Sequence, residues 1–146
     1  MRTLALSIVA AAGLASFAQA ATVAQWDLLG QPGSQAFTAG SGSADITASN
    51  LARGAGLSGN AGANSINAAG WNNQNTDYFS FGFTVAAGKA LDIENLYIGS
   101  RSSGSGPGTM GLFYSGNGFS TAITTWNQVE TNFVNQVIDL SSLGNL

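Results

Sequence analysis

The run Phe79-Ser80-Phe81-Gly82-Phe83-Thr84-Val85 constrains this chain more than any other segment. Three phenylalanines and a valine occupy alternate positions, with Ser, Gly and Thr between them, so a two-residue repeat puts every large apolar group on one side. A helix would scatter the same groups around its circumference. Only an extended strand with one dry face and one wet face uses the pattern. The alternation recurs elsewhere. Ala24, Trp26 and Leu28 oppose Gln25 and Asp27, while Val134, Ile138 and Leu140 oppose Asn135, Val137 and Asp139. No apolar stripe at helical spacing competes with these strands.

Two further signals refine the strand map. Leu91 and Ile93 share one parity and Leu96 and Ile98 the other, which predicts a bulge or turn near Glu94-Asn95. Residues 110–114 and 119–125 flank Ser115-Gly116-Asn117-Gly118, and Asn-Gly in that place predicts a hairpin. Between residues 31 and 76 the composition shifts to Gly, Ala, Ser and Asn. This stretch reads as a long surface connection containing one or two weak strands, residues 44–53 being the best candidate, because long loops without structure of their own are uncommon in compact domains. No repeat of fixed period argues for a solenoid. The expected fold class is therefore all-β, a two-sheet antiparallel sandwich of jelly-roll type. About six or seven candidate strands fall short of the eight of a jelly roll, and residues 139–146 stop just after a strand. The sandwich is expected to be truncated, incomplete at its C-terminus.

Residues 1–20 begin with Arg2, continue in an apolar run from Leu4 to Phe17 and close with Ala18-Gln19-Ala20. That order describes a secretory signal peptide. The expected mature protein is a single domain over residues 21–146, secreted to the cell surface or the medium. No later apolar stretch approaches the roughly 20 residues of a membrane-spanning helix, so no transmembrane anchor is expected in these residues. Loss of Arg2 takes the formal net charge from −3 to −4. Arg53, Lys89 and Arg101 stand apart, which argues against nucleic acid as a partner. Cysteine and histidine are both absent, so disulfides, Cys or Ser-His nucleophile systems and the usual zinc and copper ligands are excluded. Of the common metals only an oxygen-seeking cation such as calcium retains a set of ligands, and no cofactor is expected beyond a structural calcium ion.

The segments AQWDLLGQPGSQ at residues 24–35, SNLARGAGL at residues 49–57 and DYFSFGFTVAAGKALDIENLYIGSRSSGSGPGTMGLFYSGNGF at residues 77–119 resemble the PEP-CTERM sorting-domain proteins of bacteria. The resemblance covers most of the chain after residue 20 and rests on the order of segments, not on a catalytic signature. It implies a β-sandwich of unknown biochemical activity, exported through the periplasm of a Gram-negative bacterium and often linked to biofilm or extracellular polysaccharide production. Members end in a Pro-Glu-Pro motif, an apolar helix and a basic tail processed by an exosortase. None of those elements occurs here, since the only prolines are Pro32 and Pro107. An exosortase would be a partner only through a missing C-terminal segment.

Candidate site residues are few, and no catalytic residue is assigned. Asp92 and Glu94 project to the same face of a strand roughly 6.5–7 Å apart. They could share a calcium ion with backbone carbonyls, or serve a glycosidase; the plainer reading is a solvated strand face. Asp27, Asp77, Glu130 and Asp139 are scattered and read as solubilising charges. Trp71, Tyr78 and Trp126 sit among Asn, Gln and Thr, as in Gly70-Trp71-Asn72-Asn73-Gln74-Asn75 and Trp126-Asn127-Gln128. An aromatic plane beside amides suits a sugar, stacking on the ring while amides bond its hydroxyls; the plainer reading is that each caps the edge of the core. Ser102-Ser103-Gly104-Ser105-Gly106-Pro107-Gly108 lacks the Lys and helix of a phosphate loop and reads as a turn. The expected function is a non-enzymatic cell-surface or extracellular-matrix protein. The alternative is a lectin-like carbohydrate-binding module acting on extracellular polysaccharide.

Overall fold

The computed structural model describes residues 21–130 and 132–144, so the expected signal peptide lies outside the described residues. Strands make up 40% of the structure, and among the described residues no helix reaches seven residues. These residues form several small sheets, antiparallel except for one pair, with no closed barrel among them.

The longest strands lie in the C-terminal half. Asn95–Ser100 pairs antiparallel with Val134–Asp139 along its whole length. Thr109–Phe113 pairs with Ala122–Asn127, with a break in register between Leu112 and Phe113. In Val134–Asp139 the inward residues are Val134, Gln136 and Ile138, while Asn135, Val137 and Asp139 are exposed. The phase change anticipated before this ribbon is present, because Glu94 and Asn95 are both exposed between half-buried Ile93 and Leu96. The Asn-Gly hairpin is wider than a two-residue turn. Ser115–Asn117 forms a 3-10 turn, Gly118 takes φ +66 and Phe119 takes φ +56, so the returning strand starts at Ala122 and Phe119 is left 61% exposed.

The aromatic row forms two short strands where the alternation predicts one. Phe83–Val85 pairs with Ile46–Ala48, and Phe79–Ser80 with Leu51–Arg53. Between the paired positions three residues stand on one side, Ser49 to Leu51, and two on the other, Phe81 and Gly82, which is a one-residue bulge. Gly82 O accepts from both the backbone N–H of Ser49 at 2.8 Å and its hydroxyl at 3.1 Å, and this fixes the kink. Phe79, Phe81, Phe83 and Val85 nevertheless stay half-buried while Ser80 and Thr84 are exposed.

Residues 31–76 depart most from expectation. Eight strands of two or three residues occur there, not one or two. Pro32–Gly33 runs parallel to Ser65–Ile66, and Ser58–Gly59 antiparallel to Ala68–Ala69. The organiser is Arg53. Its Nε donates to Asn67 O at 2.7 Å, Nη1 to Gln35 O at 2.6 Å and Nη2 to Gly33 O. Partial burial lowers the guanidinium pKa from its ordinary value, yet the group stays a cation. Among the described residues Arg53 has no ion-pair partner; the ion pair is Lys89 with Asp45, 3.4 Å apart on the exposed surface. Such a pair contributes little.

The core is thin. Among the described residues Ile46, Ile138 and Leu140 are the buried hydrophobic side chains. Most other large apolar groups are half-buried along an open groove of about 2480 Å³, whose walls include Phe79, Phe81, Phe83, Leu96, Ile98 and Leu112.

Two substitutions test this account. Arg53→Met is expected to lower stability by about 3 kcal/mol, since hydrogen bonds to a charged group contribute roughly 1.5–3 kcal/mol each and do not add fully. Arg53→Lys is expected to recover less than half of that loss, because one ammonium cannot span three carbonyls. Urea midpoints followed by tryptophan fluorescence measure both. Gly33→Ala is expected to be at least as damaging: Gly33 has φ +85, and a Cβ there would run into the Gly62 backbone.

Candidate functional site

All five residues singled out in the sequence, Trp71, Tyr78, Trp126, Asp92 and Glu94, line the same groove. Their local settings differ, and the differences decide what each can do.

Trp71 follows Gly70, whose φ of +94 turns the chain sharply. The indole ring tilts against Phe79, with 5.7 Å between centroids, and Nε1 donates to Ala68 O at 3.3 Å. The loop that follows is pinned from its far end. Asp77 Oδ2 accepts from the backbone N–H groups of Asn72 at 2.7 Å and Gln74 at 3.1 Å. Those bonds, with one from the Thr76 side chain, hold the Asp77 carboxyl below its ordinary range. The amides that made this loop look sugar-competent are partly committed, because Asn72 Nδ2 donates to Gly70 O at 2.8 Å and Gln74 Nε2 to Asn72 O at 3.2 Å. Tyr78 is 47% exposed, and one side of its ring rests on Gly54, where a Cβ would come within 2.9 Å of the ring carbons.

Trp126 is held differently. Its Nε1 donates to Ser100 Oγ at 2.9 Å, and Gln128 Nε2 donates to the same oxygen at 3.2 Å. Gln128 Oε1 is buried and has no hydrogen-bond partner. Trp26 also lines the groove, but its ring is edge-on to Phe81 at 5.1 Å and its Nε1 donates to Ser49 O at 2.7 Å. Among the described residues no aromatic ring packs on Trp126.

Asp92 and Glu94 are both exposed. Lys89 is close to them in sequence, but its ammonium pairs with Asp45 at 3.4 Å. Among the described residues no group of three or more acidic side chains converges on a point that could hold a metal ion. Glu94 contributes through its backbone, its carbonyl accepting from Leu140 N at 2.7 Å. Of the scattered acids, Asp139 is held below its ordinary range by the hydroxyl and backbone N–H of Ser141.

Ser100, Gln128 and Arg53 were not singled out in the sequence. A signal existed for the first two. Ser100 shares parity with Leu96 and Ile98, which face the groove, and Gln128 lies two residues beyond Trp126 on the same side. Arg53 offered none, because its carbonyl partners carry no side-chain signature.

The fold and groove define a mostly β chain with an open, aromatic-lined interior. Comparison with protein-family models, with curated proteins and with solved structures found no match.

Acid titration tests the Asp77 anchor. A carboxyl held below its ordinary value of 3.8 stabilises the fold fully above that pH, and the contribution is lost as pH falls through the lowered folded value. Fluorescence of Trp71, read in a Trp26→Phe and Trp126→Phe background, is expected to change in that acidic range. Asp77→Asn should show the altered signal already at neutral pH and lose that acid transition.

Proposed function

We propose that this chain is a non-enzymatic, exported protein of the bacterial cell surface or extracellular matrix, of the PEP-CTERM type its segments resemble, with its strands arranged as a jelly-roll sandwich. The observation that carries this reading is the groove of about 2480 Å³ between half-buried strand faces. A domain that leaves its apolar interior open is suited to action by contact, since exposed apolar surface of that extent marks an interaction site. The export segment read in residues 1–20 supports a contact made outside the cytoplasm. Fractionation of the source bacterium tests the reading. The protein should be recovered from the surface or matrix fraction with an N-terminus at Ala21. Recovery from the cytosol with Met1 retained would overturn it.

A second reading, recognition of extracellular polysaccharide, is favoured by the presence of Trp71, Tyr78 and Trp126 along one groove. Aromatic planes with polar neighbours suit the apolar face and hydroxyl rim of a sugar ring. Affinity electrophoresis through gels containing neutral polysaccharides tests it. Retardation by at least one supports the reading, and unchanged mobility in all of them counts against it.

A further inference from the structure

We propose that Trp126, Ser100 and Gln128 form a subsite for one pyranose unit of a neutral polysaccharide, an inference that rests on the carbohydrate-binding reading above. Three observations converge on this end of the groove. The first is the state of the indole. Trp26, Trp71 and Trp126 all line the groove, but Trp26 and Trp71 each pack against a phenylalanine, whereas among the described residues no ring packs on Trp126. The second is fixation. Trp126 Nε1 and Gln128 Nε2 both donate to Ser100 Oγ, at 2.9 and 3.2 Å, so the indole and the amide are held to one another across the two ribbons. A ligand therefore meets a preorganised surface and does not bear the cost of ordering it.

The third observation is an orphan. Among the described residues Gln128 Oε1 and Gln35 Oε1 are buried without a hydrogen-bond partner, and of these two residues Gln128 lines the groove. A buried amide oxygen left unsatisfied costs free energy, and such a group calls for a donor. Turned into the groove, this oxygen would accept from a sugar hydroxyl while the C–H face of the same ring lies against the indole. Ser100 Oγ already accepts twice, so its own hydrogen is directed to a further group, and a hydroxyl-rich ligand offers acceptors as well as donors.

Charge selects among hydroxyl-bearing ligands. Glu130 also lines the groove, close enough to Gly104 that a Cβ there would come within 2.9 Å of its Oε1. Arg101 lines the groove as well, lying over the Phe133 ring at 5.2 Å, but the acids Asp77, Asp92, Glu94 and Glu130 on the same walls outnumber it. With a chain net charge of −3, an anionic polymer is disfavoured and a neutral one fits.

The test uses the purified exported chain and three soluble probes, a β-1,3-glucan, a β-1,4-glucan and a galactomannan, with affinity electrophoresis and fluorescence titration as readouts. Gln128→Leu removes the unpaired oxygen at similar volume. It is expected to leave the melting temperature unchanged or raised while weakening binding of the retained probe about tenfold, the equivalent of one lost hydrogen bond. Trp126→Phe keeps a ring in the strand, should weaken binding in the same direction, and decides the matter by itself should Gln128→Leu not fold. Binding by the parent chain that neither variant alters would overturn the subsite and leave polysaccharide recognition standing elsewhere in the groove. No binding of the parent chain to any of the three probes would overturn both.

Discussion

The guanidinium of Arg53 reaches the backbone carbonyls of Gly33, Gln35 and Asn67, which come from two distant stretches of chain. Strands of two residues have little cooperativity of their own, and residues 31–76 contain too few large apolar side chains to be held by packing. A planar fork of donors suits this task where an ammonium would not, because it satisfies several acceptors at fixed angles simultaneously. The partners are carbonyls, not carboxylates, so the positive charge is hydrogen-bonded without being neutralised. Partial access to water keeps that arrangement tolerable. Through this one side chain the pairing of Pro32–Gly33 with Ser65–Ile66 is tied to Leu51–Arg53, which is paired in turn with the aromatic row at Phe79–Ser80.

The opposite half depends on apolar contact. Its two ribbons are each two strands wide, a width that is marginal in isolation, and their inward faces supply Ile138 and its neighbour Leu140, two of the few buried hydrophobic side chains. The ribbons are joined by polar ties as well. Ser102 N donates to Val129 O at 3.2 Å, and Trp126 reaches Ser100. With no cysteine in the chain, these ties and the thin core share the work that disulfides perform in many exported domains. The groove is the consequence. With so few apolar side chains fully buried, the remaining apolar strand faces line an open channel.

How much of this was legible in the sequence varied with the range of the interaction. The faces of Phe79–Val85 and Val134–Asp139 were legible because alternation is a local property that any extended backbone expresses. The phase change at Glu94-Asn95 was legible for the same reason. The Asn117-Gly118 turn was legible in place but not in width, since the 3-10 turn at Ser115–Asn117 and the left-handed Phe119 are stabilised by backbone bonds that no residue type announces. The strands of residues 31–76 were largely illegible. Gly, Ala, Ser and Asn carry no apolar period, and what orders them is a cation drawn from another strand.

The candidate site divides in the same way. Residue chemistry in the sequence named Trp71, Tyr78 and Trp126; Asp92 and Glu94 are exposed as charged side chains should be, but they do not share a strand, since Asp92 makes an isolated bridge and Glu94 precedes the strand Asn95–Ser100. Only the tertiary structure decided that Phe79 packs on Trp71 while Trp126 is tied to a serine 26 residues away. Sequence by itself determined the β class, the wet and dry faces and the absence of Cys and His chemistry, because these follow from side-chain identity and a two-residue period. The groove, the Arg53 junction and the tie of the Trp126 indole to Ser100 were decided by folding, because each depends on which distant atoms come within reach.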